Sequence, residues 1–89
     1  MNTKALLRSG FCNSMFLSRN PQIIRNFIAR IINDSNISLF PNKPTEIKVE
    51  TINSMSDCVT LTFDDEKVST IWKWRKSIDG KSFVLDKIE

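Results

Sequence analysis

Histidine is absent from this 89-residue chain, and glycine occurs only as Gly10 and Gly80. Without histidine, both the usual general base near neutral pH and the commonest metal ligand are missing. Two glycines so far apart build no phosphate-cradling loop. Cysteine is scarce as well: Cys12 and Cys58 have no partner motif, which predicts two reduced, partly buried thiols. Two thiols alone do not make a zinc site, and nothing nominates a base that would activate Cys12 as a nucleophile. Asp64-Asp65-Glu66 reads as a turn rather than a catalytic carboxylate pair. The expectation is a protein that is not an enzyme and holds no cofactor and no metal.

Long apolar runs are missing too. None approaches the roughly 20 residues that span a bilayer, and the longest candidates are interrupted by Arg25 and Arg30. Leu6-Leu7 and Met15-Phe16-Leu17 are too broken to form the core of a secretory signal. The remaining absence is acid: Lys4, Arg8, Arg19, Arg25 and Arg30 all precede the first acidic residue, Asp34. An Arg- and Ser-bearing, acid-free, partly amphipathic N-terminus is the composition of a mitochondrial targeting segment, drawn inward by an inside-negative potential. It equally suits a stretch lying against polyphosphate. The formal charge of +3 divides unevenly, with six bases and one acid in residues 1–45 against seven bases and nine acids in residues 46–89.

What is present predicts one small globular domain. Aliphatic and aromatic residues make up 40% of the chain and charged ones 26%, which is not disordered composition. Residues 4–12 fit a short first strand, a ragged helix or a targeting segment. From there the pattern sharpens: Asn20 as N-cap, Pro21 in the first helical position and Ile23, Ile24, Phe27, Ile28 and Ile31 at three- and four-residue spacing predict a helix from Pro21 to about Asn33. Arg25, Asn26, Ala29 and Arg30 fall on its other side, either a solvated face or one turned to phosphate.

Asp34-Ser35-Asn36 and Pro41-Asn42-Lys43-Pro44 mark a connection that carries Ile37, Leu39 and Phe40 through or under the fold. Alternation over Thr45–Ile52, then Cys58–Phe63, then Val68–Trp74 predicts three antiparallel strands. Asp79-Gly80 predicts a hairpin that sets Trp74 opposite Leu85, Lys73 opposite Asp86 and Ile71 opposite Ile88. The competing reading has Ser82 capping a short final helix. The sharpest local feature is Trp72-Lys73-Trp74-Arg75-Lys76. On a strand its indoles share one side, either as core or as an exposed pair that stacks on RNA or a protein neighbour beside a basic rim.

The run Gln22-Ile23-Ile24-Arg25-Asn26-Phe27-Ile28, the Pro-rich Phe40-Pro41-Asn42-Lys43-Pro44 and the strand Val59-Thr60-Leu61-Thr62-Phe63 with its Asp64-Asp65 reversal resemble the small thioredoxin-like proteins shared by mitochondrial ribosomes and respiratory complex I. The similarity covers residues 5–72. It implies a thioredoxin-like shape without the redox cysteine pair, in a non-catalytic subunit, although members usually close with a longer helix than Ser82–Glu89 allows. Leu61-Thr62-Phe63-Asp64-Asp65 with Ser69 and Trp74 also resembles the small domain preceding butyrobetaine-hydroxylase-like enzymes, but Glu66-Lys67 stands where that family has Gly-His.

Taken together, these features predict an α/β (α+β) single domain with one main helix on a mostly antiparallel sheet of three to four strands. Residues 1–19 would be a basic extension and residues 20–89 the globular part. The expected function is that of a structural component of the mitochondrial large ribosomal subunit in the matrix. Lys4, Arg8, Arg19, Arg25, Arg30, Lys73, Arg75 and Lys76 would meet rRNA phosphates, and Trp72 and Trp74 neighbouring proteins. A small protein-binding inhibitor of phage or plasmid type, acting in a cytoplasm, and an accessory subunit of a respiratory complex are the alternatives.

Overall fold

Asn20 starts the main helix as its sequence requires. Its side-chain oxygen accepts the Gln22 backbone N–H at 2.9 Å, and Pro21 occupies the first turn, where its missing N–H costs nothing. In the computed structural model, which describes residues 3–34 and 43–89, this helix is α2, Pro21–Asn33. The other elements are α1 (Thr3–Phe11), β1 (Met15–Phe16), β2 (Glu46–Asn53), β3 (Ser56–Thr62), β4 (Lys67–Lys76) and β5 (Phe83–Ile88). Asn20→Ala is expected to remove about 1 kcal/mol of stability, read as a lower urea midpoint at unchanged slope.

The strands form one sheet in the order β1-β5-β4-β3-β2, with every pairing antiparallel. The α+β class is as expected, but the sheet has five strands where three to four were predicted. The added strand is β1, two residues long, which pairs Met15 with Val84 and Phe16 with Phe83. Too short to show periodicity, it exists only because β5 offers it an edge. β1 and β2 run in the same direction at opposite edges, so the β1-α2-β2 connection crosses the whole sheet. The expected passage of Ile37, Leu39 and Phe40 lies outside the described residues.

The N-terminal segment is a helix that belongs to the core. Leu7 and Phe11 of α1 are completely buried, and α1 lies on β4 and β5. It ends where Asn13 adopts the left-handed conformation, φ 69°, a role asparagine tolerates, while the Asn13 N–H donates to Leu85 O at 2.7 Å. A boundary at residue 19 therefore separates nothing structurally: the described globular unit begins with α1.

Alternation fixes what each strand turns toward the helices. β3 contributes Asp57, Val59 and Leu61, and β4 contributes Thr70, Trp72 and Trp74. The inner layer is an aromatic chain: Phe11 meets Trp72 at 5.7 Å and Phe27 at 5.8 Å, and Phe16 meets Phe27 at 4.7 Å and Trp74 at 5.0 Å between ring centroids. Buried polar atoms are satisfied within it. Trp72 Nε1 donates to Thr70 Oγ1, which donates to Val59 O, each at 3.1 Å.

The last element is a strand, not a capped helix, and its register corrects the expected one. Trp74 does face Leu85, but a bulge then intervenes, so Lys73 faces Lys87 and Trp72 faces Ile88. Asp86 is the extra residue. Without it, either Leu85 or Ile88 would turn to solvent; with it, both are buried. The turn is longer than two residues: Ser77 N–H donates to Ser82 O at 2.9 Å, and Gly80 supplies φ 72°. The Ser77 hydroxyl, then the Lys81 N–H, hold the Asp79 carboxyl below its ordinary value, a local stabilisation present above the usual carboxylate range and lost as pH falls through the lowered value.

Candidate functional site

The cations singled out by sequence occupy three separate places. Arg19, in the connection between β1 and α2, is structural. Its side chain is 12% exposed, and it reaches Asp57 at the start of β3 through Nε to Oδ2 at 3.1 Å and Nη2 to Oδ1 at 2.5 Å. The same guanidinium donates to the carbonyls of Asn53, Ser54 and Ser56, clasping the β2–β3 turn. Trp74 Nε1 also donates to Asp57 Oδ2, at 2.8 Å. With its donors turned inward over Trp74 and Phe83, Arg19 has no fork left for a phosphate. Trp72 and Trp74 are likewise consumed by the core, at 0% and 4% exposure, which removes them as a stacking or partner-contacting pair.

Lys73 and Arg75 lie on the opposite, solvent-facing side of the sheet. Lys73 Nζ meets Glu89 at 3.2 Å, and Arg75 Nε meets Asp86 at 3.2 Å. Both pairs are exposed, so each adds little stability, but each sets a carboxylate beside a cation of that rim. Lys87, then Lys73, hold the Glu89 carboxyl below its ordinary value by hydrogen bonding. Lys76, at the end of β4, sits over the Phe83 ring at 4.1 Å.

Lys4, Arg8, Arg25 and Arg30 belong to the helical layer. Arg8 Nε donates to Ile88 O at 2.9 Å, tying α1 to the end of the sheet. Arg25 Nη2 reaches Gln22 Oε1 at 2.5 Å, while its buried Nε finds no partner among the described residues. Arg30 stacks on Phe27 at 5.7 Å and, with Ile23 and Asn26, lines a shallow cleft of about 310 Å³ on the outer side of α2.

The Arg19–Asp57 pair changes the charge map. Apart from it, residues 3–34 carry four bases and one acid, residues 43–89 carry eight of each, and the remaining residues carry none. The whole formal charge of +3 therefore lies on the helical layer. No group of acidic or cysteine side chains among the described residues could hold a metal ion. Cys12 and Cys58 are both free, and no described helix is long and apolar enough to cross a membrane.

Two features of the surface had no signal in the sequence. Asp57 is one: nothing local marks it as the partner of an arginine 38 positions away. Met15, Leu17 and Ile78 looked like ordinary apolar residues, yet they are 63%, 85% and fully exposed. Met15 and Ile78, with Asn13, Arg75 and Val84, line an open cleft of about 500 Å³ beside β1 and β5. No family model, curated protein or solved structure matches the chain.

Proposed function

We propose that this protein is a non-catalytic, RNA-associated subunit that turns its helical layer toward phosphate. The observation carrying the reading is that all of the net positive charge sits on that layer once Arg19 is neutralised by Asp57. Arg30, stacked on Phe27 beside Asn26, pairs a cation with an amide at the spacing of one helical turn, a combination suited to sugar-phosphate backbone. The specific form of the reading is a large-subunit protein of the mitochondrial ribosome, of thioredoxin-like class. It is supported by the acid-free N-terminus and by the strand-helix-strand-strand order of β1, α2, β2 and β3.

The test is anisotropy titration of structured RNA with the full chain across a salt series. Binding should weaken steeply with salt, and Arg30→Gln should reduce the magnitude of the log–log slope by about one, whereas Lys73→Gln should leave it nearly unchanged. Salt-insensitive binding, or equal effects of the two substitutions, refutes the phosphate-facing helical layer. Co-sedimentation with the large subunit of mitochondrial ribosomes tests the specific form. A second reading, a small protein-binding factor, draws on a different observation, the apolar cleft at Met15 and Ile78 with Leu17 nearby.

A further inference from the structure

The outermost strand β2 pairs only with β3 among the described residues, which leaves its other edge of backbone donors and acceptors unused by the sheet. Its residues alternate: Ile47, Val49 and Thr51 lie on the helix side, and Glu46, Lys48, Glu50 and Ile52 on the solvent side. Lys48 and Glu50 are both more than half exposed, and they already meet along the strand at 3.3 Å.

We propose that β2 is a self-complementary edge, on which a second copy of this chain adds its own β2 antiparallel about a two-fold axis through Val49. In this register Val49 faces Val49, and Lys48 of each copy faces Glu50 of the other. The along-strand contacts and the cross-copy contacts then close a square of alternating charge. The helix-side residues match as well, with Ile47 opposite Thr51 of the second copy.

Neighbouring registers are worse for a definite reason. Shifting the axis to residue 48 sets Lys48 against Lys48 and Glu46 against Glu50, and shifting it to residue 50 sets Glu50 against Glu50. An axis between two residues would pair helix-side positions with solvent-side ones, placing the two helical layers on opposite faces. The Val49 register keeps both layers on one face of a continuous sheet.

The surface around the edge also fits an added strand. Val49 is buried on the helix side, whereas Thr51 is exposed. Between α2 and the near end of β2, a cleft of about 140 Å³ is lined by Ala29, Ile32, Pro44 and Ile47, with Asn33 and Lys43. The incoming Thr51 would lie beside it, so the exposed end of one β2 covers the apolar end of the other. The charges that usually guard an edge strand against pairing here favour one partner and one register. Lys48 and Glu50, which set this register, are not among the helical-layer cations proposed to meet phosphate, so the two proposals are tested by different substitutions.

The test is the mass of the full chain by sedimentation velocity over a range of concentration reaching high micromolar, with folding checked by circular dichroism. The wild type should pass reversibly from monomer to dimer. Lys48→Glu alone and Glu50→Lys alone should each be folded and monomeric at the highest concentration, because like charges then face one another. An equimolar mixture of these two variants should form the heterodimer, and the double variant carrying both changes should dimerise again. A wild type that stays monomeric, with the edge bare or occupied by some foreign strand, overturns the proposal. So does a dimer indifferent to both single substitutions, or a mixture of the two variants that fails to associate.

Discussion

Replacing Asp57 with alanine is expected to destabilise the protein by about 3–5 kcal/mol, because it strands the charge of Arg19 in a site built to neutralise it. The loss has several parts. The bidentate ion pair goes, Trp74 Nε1 loses its acceptor, and the guanidinium that clasps three carbonyls of the β2–β3 turn loses the anchor that holds it in place. For a domain of this size each kcal/mol shifts the melting temperature by roughly 4–8 °C, so the transition should fall by well over 10 °C. Thermal and urea unfolding, followed by the fluorescence of Trp72 and Trp74, would measure it.

The pattern across variants distinguishes this explanation from general disruption of the turn. Asp57→Asn retains an oxygen that Trp74 can donate to but removes the charge, so it should lie between wild type and Asp57→Ala. Arg19→Met leaves a buried carboxylate with Trp74 alone and should cost about as much as losing Asp57. Combining Arg19→Met with Asp57→Ala should cost clearly less than the sum, since neither charge is then left unpaired. Additive losses would mean that the two residues act separately.

The same pair marks the limit of what local sequence can specify. The bounds and cap of α2 were legible, because Asn20 and Pro21 act within a few residues of one another, but its buried stripe is Ile24, Ile28 and Ile32, and Ile23, expected in the core, is 46% exposed. The alternation of β2, β3 and β4 was legible for the same reason. Alternation says that Trp72 and Trp74 share a side, but which side is covered depends on α1 and α2, whose packing is set at long range. The Asp86 bulge was also out of reach: it trades two-residue periodicity for the simultaneous burial of Leu85 and Ile88, a gain felt only once the sheet is assembled. Arg19 resembled its neighbouring arginines in sequence. Only the fold separates Arg19 and Arg8, which tie distant parts of the chain together, from Arg30 on the outer side of α2.

That distinction bears directly on the N-terminus and on the second large effect, removal of residues 1–12. A detachable leader would leave the melting temperature of the remaining chain unchanged. Here the truncation takes away Leu7 and Phe11, both fully buried, uncovers Trp72 and Phe27, and breaks the bond from Arg8 to the Ile88 carbonyl. Single truncations of such side chains to alanine cost about 2–5 kcal/mol for leucine and 3–5 for phenylalanine, while domains have only about 5–15 kcal/mol in total. The shortened chain is therefore expected to lack a cooperative unfolding transition and to show solvent-exposed tryptophan emission. Phe11→Ala supplies the graded version, a folded protein weakened by about 3–5 kcal/mol. If the basic N-terminus also directs the chain to an organelle, the signal must stay attached after delivery, because α1 is the layer that closes the core over β4 and β5. Intact-mass measurement of the native protein should accordingly find Leu7 and Phe11 still present.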